Sequence, residues 1–249
     1  MKRTLITFIV TVAALFAATP YAIAYDCEVD GIYYSRISAT EVEVTNKVFS
    51  DQNYAAYTGS ITIPASVTYN GKTFSVVSIG DYAFRDCASI TSITIPSSVR
   101  SIKSFAFFNC NAMTNVNMPA SVTEIGMGAF EGCASLTQMV LPKGIVAIEN
   151  ETFFGCKSLK GIVIPSSVTS VGEEAFSRCA SLISIYCLAK TAPECEPNAF
   201  SKVDRTWCTL YIPKGSKSYK DNIVWREFFI EESDEKSEDI NLNTTANSK

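Results

Sequence analysis

Histidine does not occur once in the 249 residues, which removes the commonest acid–base group and the commonest metal ligand at neutral pH. Ser-His, Cys-His and His-metal mechanisms are thereby excluded. Charge is also scarce, at 18% Asp, Glu, Lys and Arg. No basic stripe is present, so neither nucleic acid nor an anionic membrane surface is an expected partner. Beyond the first twenty residues no apolar run approaches the roughly 20 residues of a membrane-spanning helix. Cys-x-x-Cys pairs, Gly-rich phosphate loops and calcium-loop spacings are missing too. What remains is 47% hydrophobic, enough for a folded core. Much of the polar surface comes from 28 Ser and 22 Thr, a composition that favours strands over helices.

The first segment reads as targeting. Lys2 and Arg3 precede an apolar run from Leu5 to Ala18, and Ala22-Ile23-Ala24 supplies the small residues of a cleavage site. A secretory signal over residues 1–24 is therefore expected. The mature chain is expected to be secreted, extracellular or at the cell surface, with the periplasm as the alternative. A lipid anchor at Cys27 is the competing reading, disfavoured because Tyr25 and Asp26 are not small. The mature 225 residues carry a net charge of −6, of which residues 231–249 hold −4. The body is thus nearly neutral.

A 23-residue period organises the middle of the chain. Cys87, Cys110, Cys133, Cys156 and Cys179 follow it, as do Phe84, Phe107, Phe130, Phe153 and Phe176. Pro96, Pro119, Pro142 and Pro165 form a third column, and Ile79, Ile102, Ile125, Ile148 and Val171 a fourth. Each unit holds an alternating apolar pair ended by proline, such as Ile93 with Ile95 or Ile162 with Ile164. Alternation stopped by proline marks a short strand. A second short extended piece follows, as at Val99 to Ile102, and then a compact turn, as at Ala83 to Cys87. No unit has room for a long helix. The expected fold is a β-rich repeat solenoid with short strands, turns or single helical turns, and terminal caps.

The repeat from Leu159 to Cys179 reads approximately L-x-x-I-x-I-P-x-S-V-x-x-I-G-x-x-A-F-x-x-C, and it resembles the BspA-type leucine-rich repeats of bacterial surface and secreted proteins. The resemblance is strong over residues 60–186. Asp30 to Tyr34 and Tyr69 to Phe74 are similar to the family's amino-terminal region, and Leu210 to Trp225 to its closing segment. The resemblance implies an arc-shaped leucine-rich repeat solenoid used for adhesion or macromolecular recognition. It brings no catalytic residues and no cofactor.

An exposed solenoid end needs an atypical unit to cover it. Residues 25–59 are expected to form an amino-terminal β cap and residues 187–230 a carboxy-terminal one, with residues 231–249 a disordered acidic tail. Asn70-Gly71 signals a hairpin turn in the stretched first unit. At the other end the period slips, Phe200 falling 24 residues after Phe176. Cys208 to Ile212 is expected to be the last strand, and Tyr219 to Phe229 a short helix or turn.

The five periodic cysteines are expected to be free and buried. Stacked equivalents stand within disulfide reach, but their side chains run parallel, whereas a disulfide needs crossed geometry. A parallel ladder also lacks the converging ligands of a metal site. Cys187 and Cys195, which bracket an irregular loop, are instead expected to be bonded. Cys27 and Cys208 should lie at opposite ends of the stack.

Two surfaces are candidates for a partner. Residues alternating with the buried pair form outward columns: Ser92 and Thr94, Asn115 and Asn117, Gln138 and Val140, Gly161 and Val163, Ser184 and Tyr186. Flat and uncharged, this face suits an extracellular or host-surface protein, or a glycan; the bland alternative is a merely solvated strand face. The second candidate is aromatic: Tyr82, Phe105, Phe108 and Phe154, which make a recognition patch if exposed together and interleaved packing if not. The pairs Glu149 with Glu151 and Glu173 with Glu174 could in principle act as acid and base, but they sit at variable turns and read as a solvated rim. The overall expectation is a non-enzymatic, cofactor-free binding protein. A structural envelope component without a ligand is the alternative. Without histidine, any pH dependence of binding between about 5.5 and 7.5 must come from the partner or from a shifted carboxylate.

Overall fold

The computed structural model describes residues 25–47, 57–234, 240 and 242; the leader expected over 1–24 lies outside the described residues. The chain opens with β1 (Cys27–Val29) and β2 (Ile32–Arg36), an antiparallel hairpin, and β3 (Glu41–Thr45) adds to β2 in the same sense. After β4 (Gly59–Thr62) comes the hairpin of β5 (Ser66–Tyr69) with β6 (Lys72–Ile79). Its turn is the anticipated Asn70-Gly71, with φ of 50° and 72°, the left-handed pair that a tight two-residue turn requires.

Each following unit supplies two strands. They are β7 (Ile90–Thr94) with β8 (Ser101–Ile102), β9 (Asn115–Asn117) with β10 (Glu124–Ile125), and β11 (Gln138–Val140) with β12 (Ala147–Ile148). Then come β13 (Gly161–Ile164) with β14 (Ser170–Val171), β15 (Ser184–Cys187) with β16 (Glu194–Cys195), and β17 (Thr209–Pro213). A short helix α1 (Ser218–Asp221), a 3-10 turn at Trp225–Glu227 and β18 (Phe229–Ser233) end the described core.

Odd-numbered strands from β7 onward build a front wall, in two parallel sheets ordered β4-β7-β9 and β11-β13-β15-β17-β18. The even-numbered ones from β8 to β16 build a rear wall that continues from the amino-terminal sheet: β3-β6-β8-β10, then β12-β14-β16. Proline closes the front strands β4, β7, β9, β11, β13 and β17, and in the repeats the chain turns at once, as where the Val122 amide donates to the Pro119 carbonyl at 3.2 Å. The serine that follows fastens the turn to the coil before it. Ser98 Oγ donates to Val76 O at 2.6 Å, Ser121 Oγ to Val99 O at 2.7 Å and Ser167 Oγ to Ile145 O at 2.5 Å. Many hydroxyls therefore act between coils and not on the surface.

The Ala-Phe-x-x-Cys turns form a third side, stitched by main-chain bonds such as Phe84 N to Ala106 O and Phe107 N to Ala129 O, each 2.8 Å. Their phenylalanines make one continuous stack from Phe84 to Phe200, with centroids 5.0–5.6 Å apart and planes within 12°. Phe200 joins it despite the slipped period, because the extra residue is absorbed between Cys187 and Glu194: β15 pairs with β13 at an offset of 23 residues, and β16 already pairs with β14 at 24. Rings also close both ends. Tyr57 sits 4.8 Å from Phe84, with Tyr33 behind it; Trp225 and Phe228 meet Phe200 edge-on at 5.3 and 5.0 Å.

Two expectations fail at the carboxy-terminal end. Cys208 to Ile212 does not hold the last strand, because β18 pairs along all five of its residues with β17. Nor are all of residues 231–249 a disordered tail: Glu231 to Ser233 belong to β18, and Ile240 and Leu242 pack on the front wall beside Val163, Tyr186, Leu188 and Tyr211. Acidity concealed two apolar residues spaced to share one face of an extended chain.

Candidate functional site

The front wall carries the outward columns in register. Ser60, Ser92 and Asn115 stand side by side, as do Thr62, Thr94 and Asn117; Ser92 Oγ donates to Ser60 Oγ at 2.9 Å. Asn115 and Asn117 are exposed. Between β9 and β11 the sheet is interrupted, and a shallow groove lies there, lined by Asn115, Asn117, Met118, Gln138, Val140 and Lys143. Val140, 49% exposed, is its large exposed hydrophobic residue.

Beyond β11 the face changes. Val140, Val163, Tyr186 and Tyr211 form one register column, and Tyr186 stacks on Tyr211 with centroids 4.4 Å apart. Val163, Ser184 and Tyr186, expected on an open face, are instead buried, at 0%, 3% and 4% exposure. Leu242 covers Val163 and Tyr186, and Ser184 Oγ is engaged with the Lys160 carbonyl at 3.4 Å. Tyr211 and Leu242 were not anticipated. Tyr211 lies 25 residues after Tyr186, off the period, and nothing periodic marks Leu242.

The aromatic set divides. Tyr82 and Phe105 stack at 5.2 Å, Phe108 meets Phe105 edge-on at 6.0 Å, and the Arg85 guanidinium lies 5.5 Å from both Tyr82 and Phe108. Phe154 is held apart, under Arg178 at 5.1 Å. All four rings are half-buried, and the three that meet are packed coil against coil. Among the carboxylates, Glu131 is shifted upward, whereas the hydrogen bonds from Thr206 hold Asp204 below its ordinary range. Burial, and then Glu151 and Glu174, push the Glu131 acid up to about 7. These three carboxylates come from successive coils, not from the adjacent pairs the sequence suggested. No group able to hold a metal ion occurs among the described residues.

The ladder cysteines are buried free thiols. Cys110, Cys133, Cys156 and Cys179 each donate to the phenylalanine carbonyl of the preceding coil at 3.1–3.2 Å, and Cys87 begins the column. The bond expected between Cys187 and Cys195 is absent; both are free thiols. Cys187 ends β15 in the front wall, where the Tyr219 hydroxyl donates to it at 3.1 Å, whereas Cys195 ends β16 in the rear wall. The intervening residues are the coil's crossing between walls and need no staple. Burial pushes the Cys187 thiol up to about 11 and the Cys195 thiol to about 12. Cys27, in the first cap, and Cys208, before β17, are likewise buried and free.

Comparison with solved structures agrees on the fold. A leucine-rich repeat protein of Treponema pallidum superposes with a TM-score of 0.55 at 28% identity, over 65% of this chain and 71% of the other. A leucine-rich cell surface protein of Faecalibacterium prausnitzii aligns at 20% identity and a TM-score of 0.44, over 79% and 71%. A leucine-rich repeat protein of Bacteroides ovatus aligns at 23% and 0.41, over 78% and 75%. No curated protein registers as a match. Six copies of the BspA type leucine rich repeat region match residues 77–206, just over half of the sequence, and the chain therefore belongs to the BspA-type leucine-rich repeat family.

Proposed function

We propose that this is a secreted or cell-surface, non-enzymatic protein that recognises an extracellular or host-surface protein through the open part of its front wall. The observation that carries this reading is the groove at the interruption between β9 and β11. There Asn115, Asn117 and Gln138 offer amide donors and acceptors beside the exposed methyl groups of Val140. Neutral amides around a small apolar centre suit a broad contact with little desolvation cost. Ser92 and Thr94 extend the same surface.

The test is an array of matrix and cell-surface proteins, with glycans in parallel, probed with the mature chain. Protein ligands are expected, and the double variant N117R/V140D should abolish their capture without shifting thermal unfolding. Capture of no protein at concentrations on the order of 10 µM, or capture unaffected by that variant, sinks the proposal. Export is tested separately: a mature amino terminus at Tyr25 is expected on the protein recovered outside the cytoplasm.

A further inference from the structure

Outward position Gly161 breaks a column otherwise built of Ser60, Ser92, Asn115, Gln138, Ser184 and Thr209. A Cβ at Gly161 would stand 2.8 Å from Ser184 Oγ and 2.9 Å from Leu242 Cδ2, closer than unbonded atoms approach unless one of them shifts. The missing side chain is therefore a notch that admits Leu242, which is only 7% exposed there. Val163, Tyr186, Leu188 and Tyr211 wall the seat, and Ile240 occupies its margin. Ile240 and Leu242 both pack on this wall, so the Ile-x-Leu pair presents both side chains to it together.

The route is short. Ser233 ends β18, and Gly161 lies on β13, three strand spacings across and, being in register with Phe229, four residues back along the wall, about 20 Å away in all. The nine residue steps from Ser233 to Leu242 reach at most about 30 Å, enough to cover it. Lys214 pairs with Asp234, and Glu232 accepts from the Gly215 amide at 3.0 Å, holding the departure point at the end of the wall.

We propose that the front wall from β13 to β17 is a docking seat for a segment carrying an apolar-x-apolar pair among acidic residues, and that this chain's own Ile240 and Leu242 occupy it. An outside protein segment of the same chemistry gains the seat only by displacing the tail, while the groove at β9 and β11 stays open throughout. The identity of the outside partner rests on the front wall being the recognition surface. Occupancy by the tail does not, and it is tested without any outside ligand.

The test uses the full mature chain and a fluorescent synthetic peptide of residues 234–249. The wild-type chain, its seat filled, should bind the peptide weakly, and the variant I240D/L242D, its tail released, at least about tenfold more tightly, since affinity scales with the fraction of open seats. Adding Gly161→Val to that variant should abolish binding again. Because Gly161→Val also crowds Ser184 Oγ, the second control is a peptide carrying the L242D change, which should not bind the released-tail chain. Equal binding by the wild-type and released-tail chains, or equal binding of the two peptides, overturns the proposal. A wild-type dimer that L242D dissolves overturns occupancy within one chain and assigns the tail to a second copy. These outcomes are independent of the array screen, so loss of the recognition reading and loss of the seat are separable.

Discussion

At the scale of single residues, Glu131 shows how a repeat produces a property that no repeat unit contains. Its ordinary acidity is shifted to about 7 by burial and by Glu151 and Glu174, which belong to the next two coils. The folded chain therefore holds a proton at this site that the unfolded chain releases above about pH 4.5. Stability should fall as pH rises from about 4.5 to 7 and level off above about 8. For a half-exposed group in solvent the loss is about 1 kcal/mol. Glu131→Gln should remove it, measured as a flattened dependence of urea midpoint on pH between 5 and 8; an unchanged slope refutes the assignment. The column from Cys87 to Cys179 makes the complementary case, because period and parallel geometry alone predicted buried thiols. Cys133, fully buried and bonded to the Phe107 carbonyl, should resist thiol reagents until the chain unfolds. Cys133→Ala should cost about 1–2 kcal/mol for a lost sulfur contact and a small cavity, read from the denaturation midpoint. Glu131 was not legible because its partners are set by stacking across coils, whereas the thiols repeat at one fixed position.

Among the elements, the short strands are defined less by propensity than by what stops and ties them. β8, β10, β12 and β14 are two residues each, too short to be stable alone, and they persist because each coil is fastened to its neighbours. The serine two residues after the strand-ending proline is one fastening. Ser121→Ala should remove its bond to the Val99 carbonyl and cost about 1 kcal/mol, whereas Ser97→Ala, an exposed neighbour in the turn of the preceding unit, should cost nearly nothing. Equal effects in thermal unfolding would show that serine contributes only turn propensity. The front strands were legible as alternating runs ended by proline, and so was the Asn70-Gly71 hairpin. β18 was not, since Phe229 to Ser233 is rich in glutamate and its pairing is imposed by β17. Cys187 and Cys195 were misread for a related reason: a loop that looks in need of a disulfide is one more coil crossing between walls.

On the scale of the whole molecule, a stack of identical coils is most vulnerable where it ends, and both ends are closed by aromatic rings. Each coil contacts chiefly its neighbours, so stability propagates along the axis, and an uncovered end frays inward. Trp225 is fully buried, lies edge-on to Phe200, and its indole nitrogen donates to the Pro193 carbonyl at 2.8 Å. Trp225→Ala should therefore cost about 3–5 kcal/mol and leave that carbonyl without its partner. The loss should also be directional. Amide hydrogen exchange should accelerate most in β17 and β18, less in β15 and β13, and least in β7 and β9, where the Tyr57 closure of Phe84 is untouched. Fraying of β18 would in addition loosen the departure point of the tail, so Leu242 should leave the Gly161 notch before the thiol ladder opens. Uniform acceleration across all coils would mean that the solenoid melts as one cooperative block, with the cap acting as part of the core and not as its lid.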